Sequence, residues 1–245
     1  VQRLTIDGRP VNEYFTSPPF EFTSGEDLSR LQVKLGHLLE VAKCDLSDFF
    51  HCCEATEALK HYFGLKGVQA ELLRGLGVEV PPECVDGRGY TYPRLTTLPM
   101  GFGPSPGIAQ AAHEAVLYGE AGTGSEQACQ LPPVVSPAAR WSGQRVPDVD
   151  SPEASAPHAL VIDDLLMFRQ VPPRHLAGGA AVGTTLSSVL TRYDQVGLRT
   201  KPSKVRDYDA VQDLLGHTLD YNVLRGSSSR YAAIRSDVLR VIRCG

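Results

Sequence analysis

The stretch HALVIDDLLMF, residues 158–168, decides the fold. Two apolar runs, Ala159 to Ile162 and Leu165 to Phe168, are separated only by Asp163 and Asp164, the length of a two-residue hairpin turn. The reading is a pair of antiparallel strands with two carboxylates at the tip. Aspartate tolerates the positive φ that such turns demand, so a purely structural turn is one interpretation. Two like charges side by side between apolar strands repel and lose hydration, for which a divalent cation is the usual compensation, so a metal site is the other.

Working outward, a third acid, Asp45, ends the apolar run VAKCD. If the strand ending there lies beside the hairpin, three carboxylates converge on an oxygen-only ligand set suited to Mg²⁺. Further strands are expected at Leu4 to Ile6, Val41 to Leu46 and Leu214 to Leu219. A helix is expected over 106–119, capped by Ser105 and entered through Pro106, with Ile108, Ala111, Ala112, Ala115 and Val116 as its buried face. A second is expected from about Thr184 to Val196, with Leu186, Val189, Leu190 and Tyr193 as the stripe and Gly197 as a left-handed cap. Mixed helices and strands indicate an α+β fold. Between the two halves, 14 of the 37 positions from 121 to 157 are Pro, Gly or Ser, and no hydrophobic period is visible. That segment reads as a flexible surface insertion.

The whole chain has 245 residues, 42% hydrophobic and 21% charged, which is ample for a buried core. No apolar run approaches the roughly 18 residues of a membrane span, so no membrane partner is expected. Six cysteines without CxxC spacing argue against a zinc site or a secreted disulfide framework and for a reducing, intracellular setting. Cys52 and Cys53, in HCCE, read as buried structural residues. Val1 at the start and RVIRCG at the end read as those of a fragment of a longer polypeptide. Net charge is −4, yet residues 197–245 carry nine Lys or Arg against five Asp, a basic segment that fits either a solvated face or nucleic acid. GPSPG at 103–107 matches the hydrolase nucleophile elbow in form only, because Pro106 lacks the amide that an oxyanion hole needs.

Ordered along the chain are RLTIDGRPVN (3–12), KCDLSDFF (43–50), LPMGFGPSP (98–106), VIDD (161–164), GLRTKPSK (197–204) and LLGHTLD (214–220). In that order the blocks resemble those of the reverse transcriptases of retroviruses and retrotransposons. The resemblance implies a right-hand polymerase: fingers at about 1–40 and 56–97, and a ferredoxin-like palm of antiparallel sheet and packed helices at about 41–55 and 98–225. The thumb would be largely missing, with at most its start in 226–245. It implies RNA-directed DNA synthesis on an RNA or DNA template with a primer, using deoxynucleoside triphosphates. Asp45, Asp163 and Asp164 would hold two Mg²⁺ ions, with Mn²⁺ as the alternative. Arg3 would clamp the triphosphate, Met100 and Gly101 would line the nucleotide site, and Phe50 would exclude a 2′-hydroxyl. Lys204 would protonate departing pyrophosphate, and Leu215, Gly216 and His217 would form the primer grip.

Three of the carried-over residues keep a plain structural reading beside the functional one: a surface arginine for Arg3, core packing for Phe50, a solvated lysine for Lys204. Asp7 and Arg9 read as an ion pair on one strand face. Two positions depart from the family pattern, Met100 where glutamine is usual and Val161 where tyrosine is usual; both delete polar contacts. They keep open a catalytically inactive nucleic-acid-binding relative. An RNA-directed RNA polymerase is the remaining alternative, disfavoured by LPMGFGPSP and the bulk of Phe50. The oligomeric state is not legible.

Overall fold

Nine strands, seven α-helices and three short 3₁₀ turns account for the regular structure of the residues described in this computed structural model, which are 7–17, 19–20, 22–119, 132–135, 140, 157–172 and 186–226. The strands are β1 (Leu38–Asp45), β2 (Val68–Gln69), β3 (Tyr90–Thr91), β4 (His158–Val161), β5 (Asp164–Val171), β6 (Arg206–Asp209), β7 (Val211–Leu214), β8 (His217–Asp220) and β9 (Val223–Gly226). The helices are α1 (Arg9–Asn12), α2 (Gly25–Ser29), α3 (Phe49–Cys52), α4 (Glu57–Lys60), α5 (Ala70–Gly75), α6 (Ser105–Tyr118) and α7 (Leu186–Gln195). All strand pairings are antiparallel, so the fold is α+β. The chain divides into two compact units, one from Val1–Pro19 with Asp48–Ala109 and one from Phe20–Ser47 with Gln110–Gly245.

The second unit is built on a four-stranded sheet of order β4-β5-β1-β6. Strands β1 and β5 are buried along nearly their whole length, so neither alternates between a core face and a solvent face. On one face, Leu39, Val41, Ala159, Leu166 and Phe168 pack with Leu28 and with Leu214 and Leu219 of a second sheet, the meander β7-β8-β9. Both meander turns have two central residues at positive φ, Leu215 (46°) with Gly216 (80°) and Tyr221 (46°) with Asn222 (72°). This is the turn geometry whose twist matches the flanking strands. Polar side chains tie the meander to β1. The Leu39 N–H donates to Asn222 Oδ1 at 2.6 Å, Asn222 Nδ2 donates to the His37 carbonyl at 2.8 Å, and Gln212 Nε2 donates to the Val41 carbonyl at 2.6 Å. Across β1 and β5, Glu40 and Arg169 are register partners joined at 2.6 Å, and the Arg169 guanidinium lies 4.1 Å from the centre of the Tyr208 ring.

In the first unit, β2 and β3 form a short ribbon, and Ala55, Phe63 and Phe102 make a small core with Val11, Phe15, Leu59 and Leu95. Phe102 meets Phe15 and Phe63 edge-on, each with ring centres 5.1 Å apart. Gly101, at φ 101°, turns the chain into Phe102, and Gly8 approaches so closely that a Cβ there would stand 2.2 Å from the Gly101 carbonyl oxygen. Asn12 closes this contact, donating to the Gly101 carbonyl at 3.0 Å and accepting from the Gly103 N–H at 2.7 Å.

Several sequence expectations are corrected. The hairpin pairs Val161 with Asp164, so its two turn residues are Ile162 and Asp163, one position earlier than expected, and Asp164 belongs to β5. Leu214 to Leu219 is not one strand but the end of β7, a turn and the start of β8. Helix α6 begins at Ser105 itself, whose hydroxyl donates to the Pro99 carbonyl instead of capping. Its buried side chains include Ala109, Gln110, His113 and Leu117, whereas Ile108 and Ala111 are exposed. The ion pair of Asp7 and Arg9 exists at 2.7 Å, but at the start of α1 rather than on a strand. Cys52 is exposed and Cys53 half-buried. Within the expected insertion, Val134 donates to the Leu117 carbonyl at 2.8 Å and Val135 is buried, because the last carbonyls of α6 need donors. Residues 121–131, 136–139 and 141–156 of that segment, Arg3, the expected strand from Leu4 to Ile6 and residues 227–245 lie outside the described residues. Helix α7 ends at Gln195 and is followed by the expected left-handed Gly197 at φ 75°, with the Leu198 N–H reaching back to the Tyr193 carbonyl.

Asn222 holds a backbone donor that would otherwise be buried without an acceptor. Asn222→Ala is expected to cost about 1–3 kcal/mol of stability, seen as a lower urea midpoint.

Candidate active site

Antiparallel pairing places Asp45 directly opposite Asp164, both on the face that carries Val41 and Phe168. The Leu46 N–H bonds the Asp163 carbonyl at 3.0 Å, while the Asp45 carbonyl turns to its other edge and accepts from the Lys201 N–H at 2.9 Å. Asp45 and Asp164 are therefore a pair of the non-hydrogen-bonded kind, in which side chains stand closest. Asp163 precedes Asp164 in the turn between β4 and β5. The three carboxylates come from two strand ends and one turn of the second unit.

The turn is held in an unusual conformation. Ile162 has φ 59°, costly for a β-branched residue, and Asp163 does not share the positive φ. Gln110 and His113 of α6 stabilise it. The Ile162 N–H donates to Gln110 Oε1 at 2.7 Å, and His113 Nδ1 donates to the Ile162 carbonyl at 2.8 Å. His113 Nε2 then accepts from the Tyr193 hydroxyl at 2.6 Å, and Tyr193 in turn meets the Cys44 thiol of β1. Burial pushes His113 down to about 4, so the ring is neutral, consistent with one nitrogen donating and the other accepting. Burial likewise pushes the Cys44 thiol up to about 12.

Two lysines face the carboxylates. Residues 199–201 run antiparallel to 45–47, with Leu46 bridged to Thr200 and the Ser47 N–H donating to the Arg199 carbonyl at 2.7 Å. The 3₁₀ turn Pro202–Lys204 follows, so Lys201 and Lys204 both reach back to β1. Lys201 Nζ donates to Asp45 Oδ1 and Lys204 Nζ to Asp45 Oδ2. Lys201 Nζ also stands 3.8 Å from Asp163 Oδ2. Burial alone would raise the Asp45 pKa, but the bonds and charge of the two lysines outweigh it and leave the carboxyl below its ordinary value. Asp163 is raised, chiefly by burial, with Asp45 adding repulsion. Asp164 is raised to about 6 by burial and by the charges of Asp163 and Asp45. Lys204 is raised, first by its bond to Asp45.

The donor chemistry fits a hard divalent cation: oxygen ligands only, with two carboxyls whose pKa is raised first by burial and then by repulsion from neighbouring carboxylates. Asp45 and, at longer range, Asp163 are turned to ammonium groups instead. Among the described residues, no group of three His, Cys, Asp or Glu side chains is arranged to hold a metal ion.

Phe50, on α3, and exposed Met100 with Gly101 belong to the first unit. In the second, Leu215 and Gly216 form the β7–β8 turn, and the His217 ring covers Gly25 so tightly that a Cβ there would meet it at 2.2 Å. Sequence reasoning missed Lys201, Gln110 and His113. Lys201 lies inside the block GLRTKPSK, and the two α6 residues are polar positions outside the apolar stripe of that helix.

No family model and no curated protein matches the sequence. Among solved structures, the chain is similar to the foamy viral protease-reverse transcriptase dRH in complex with double-stranded DNA, with a TM-score of 0.55 and 14% identity over 95% of this chain. The fold is reverse-transcriptase-like. A second structure of the foamy viral protease-reverse transcriptase, also with double-stranded DNA, gives 0.55 and 15% over the same share. The chain spans about a third of the length of these neighbours, 30% and 35%. No described helix is long and apolar enough to cross a membrane.

The electrostatics have a definite sign. Asp164 titrates at about 6 in the folded chain against an ordinary 3.8, so the folded state holds more protons between those values and loses stability as pH rises through them. His113, at about 4 against 6.5, works in the opposite sense. Comparing Asp164→Asn with wild type cancels the His113 contribution. In EDTA at pH 7 the variant is expected to melt about 2–4 °C higher, with the gap closing toward pH 4 in thermal unfolding scans.

Proposed function

We propose that the chain is the polymerase portion of a retroelement reverse transcriptase, an RNA-directed DNA polymerase that adds deoxynucleotides to a primer 3′-hydroxyl. The observation that carries this reading is the opposition of Asp45 and Asp164 with Asp163 in the adjoining turn, in a chain of reverse-transcriptase-like fold. The double-stranded DNA bound by the structural neighbours supports a template and primer as partners. In this reading the second unit supplies the palm sheet and the first unit most of the fingers.

Asp45, Asp163 and Asp164 would hold Mg²⁺, which when bound activates the 3′-hydroxyl and offsets charge on the departing pyrophosphate. The chain's own residues do the rest. The β1–β5 ladder and the Gln110–His113 brace fix where the carboxylates sit, so little reorganisation accompanies the reaction. Lys204 would donate a proton to pyrophosphate, a role supported by its exposure and by the bond to Asp45 that keeps it protonated. The Leu215–Gly216 turn offers backbone groups to the primer. Phe50 selects against a 2′-hydroxyl by bulk, and Arg3 and the Met100–Gly101 segment contact the nucleotide.

A second reading, a nucleic-acid-binding relative without catalysis, is favoured by the engagement of both Asp45 oxygens by lysines and by the absence of polar groups at Val161 and exposed Met100.

Primer extension separates them. Asp163→Asn is expected to abolish Mg²⁺-dependent extension, by at least about a hundredfold, while leaving the urea midpoint near wild type; unchanged extension overturns the proposal. Salt-sensitive retention of primer–template by the wild type with no extension supports the second reading. Phe50→Val is expected to raise the ratio of ribonucleotide to deoxynucleotide incorporation in the same assay, and an unaltered ratio assigns Phe50 to packing.

A further inference from the structure

Lys201 is fixed at its backbone, while its side chain is flexible. Its N–H is bonded to the Asp45 carbonyl and the preceding residue is bridged to Leu46, so the Cα cannot leave β1. Its side chain, 37% exposed, has a flexible four-carbon stem with which to reach either the carboxylates or solvent. In the present arrangement the ammonium bonds Asp45 Oδ1 and lies 3.8 Å from Asp163 Oδ2, between a carboxylate on β1 and one in the β4–β5 turn. Asp45 itself is only 5% exposed, so its oxygens are reached at the lysines or not at all.

Charge balance sets the condition for a metal to enter. Three carboxylates and the two ammonium groups bonded to Asp45 leave the cluster one negative charge, the nearby Lys43 ammonium being turned instead to the Asp213 carbonyl. A divalent cation added with both lysines in place makes the half-buried cluster net positive, whereas with Lys201 swung to solvent the charges balance. Lys204 can stay, since it bonds the other Asp45 oxygen and is the more exposed of the two.

We propose that Lys201 is a resident counter-ion of the carboxylate cluster, and that a divalent cation binds only by exchange with its ammonium group. The proposal rests on the metal-binding reading and adds its control: the lysine holds the carboxylates in position while no metal is bound and sets the affinity by competing for Asp45. The chain thereby trades metal affinity for a folded, charge-compensated apo site.

The test is direct Mn²⁺ binding, followed by the loss of the free-ion electron paramagnetic resonance signal, on the full chain without nucleic acid. Lys201→Met, which keeps the stem and removes the charge, is expected to bind Mn²⁺ about tenfold tighter or more. Lys201→Arg, which keeps the charge, is expected to bind no tighter than wild type. The rise in Tm on adding Mn²⁺ is expected to be larger for Lys201→Met, a readout that also verifies the variant is folded. Equal or weaker binding by Lys201→Met overturns the exchange, and if the double variant Asp163→Asn with Asp164→Asn has meanwhile lost binding, the metal-binding reading survives. If that double variant binds as wild type does, the carboxylates are not the ligands and the underlying reading falls with the proposal.

Discussion

Everything near the site depends on one unfavourable pairing. The β1–β5 ladder is fixed by its buried apolar residues, Val41 against Phe168 and Ala42 against Met167, and the same register sets Asp45 against Asp164 at its end. A slip of one residue would turn every core side chain to the other face, so the hydrophobic pattern holds the two carboxylates opposite each other. Like charges directly across an antiparallel pair are destabilising, and here they also lose water. Lys201 and Lys204 offset part of that cost, and Asp164 carries the remainder as its raised pKa.

The second constraint is local. A β-branched residue at positive φ is maintained only where its surroundings over-determine it, and Ile162 is bonded at both its N–H and its carbonyl by one helix. The brace continues through Tyr193 to Cys44, so α6, α7 and β1 meet around the turn that carries Asp163. This explains the polar residues inside the structure: Gln110 and His113 are buried because they satisfy backbone groups that the turn leaves without strand partners.

Much of this was legible in the sequence. Hydrophobic runs located β1, β4, β5, α6 and α7, and the order of motif blocks anticipated a reverse-transcriptase-like fold. What failed was phase. A two-residue linker suggested Asp163 and Asp164 as the turn, but pairing follows the whole strand, and the long partner β1 draws Asp164 into the ladder. The face of α6 was misjudged because small alanines were weighed as core, whereas the helix turns inward the side chains that can bond to Ile162. LLGHTLD concealed a turn because Leu215 takes a left-handed conformation that glycine or asparagine more often occupies. Lys201 was hidden because its importance depends on contact with Asp45, and no spacing rule links residues so far apart.

That separation has a thermodynamic side. The chain segment that must close before Asp45 and Asp164 can meet is more than a hundred residues long, and loop-closure entropy grows only with the logarithm of length. The 37 positions from 121 to 157 therefore add only about 0.3 kcal/mol to that closure in the unfolded ensemble. A lineage could lengthen or trim the chain between the two halves of its ion cluster almost without penalty, provided the register at either end is kept.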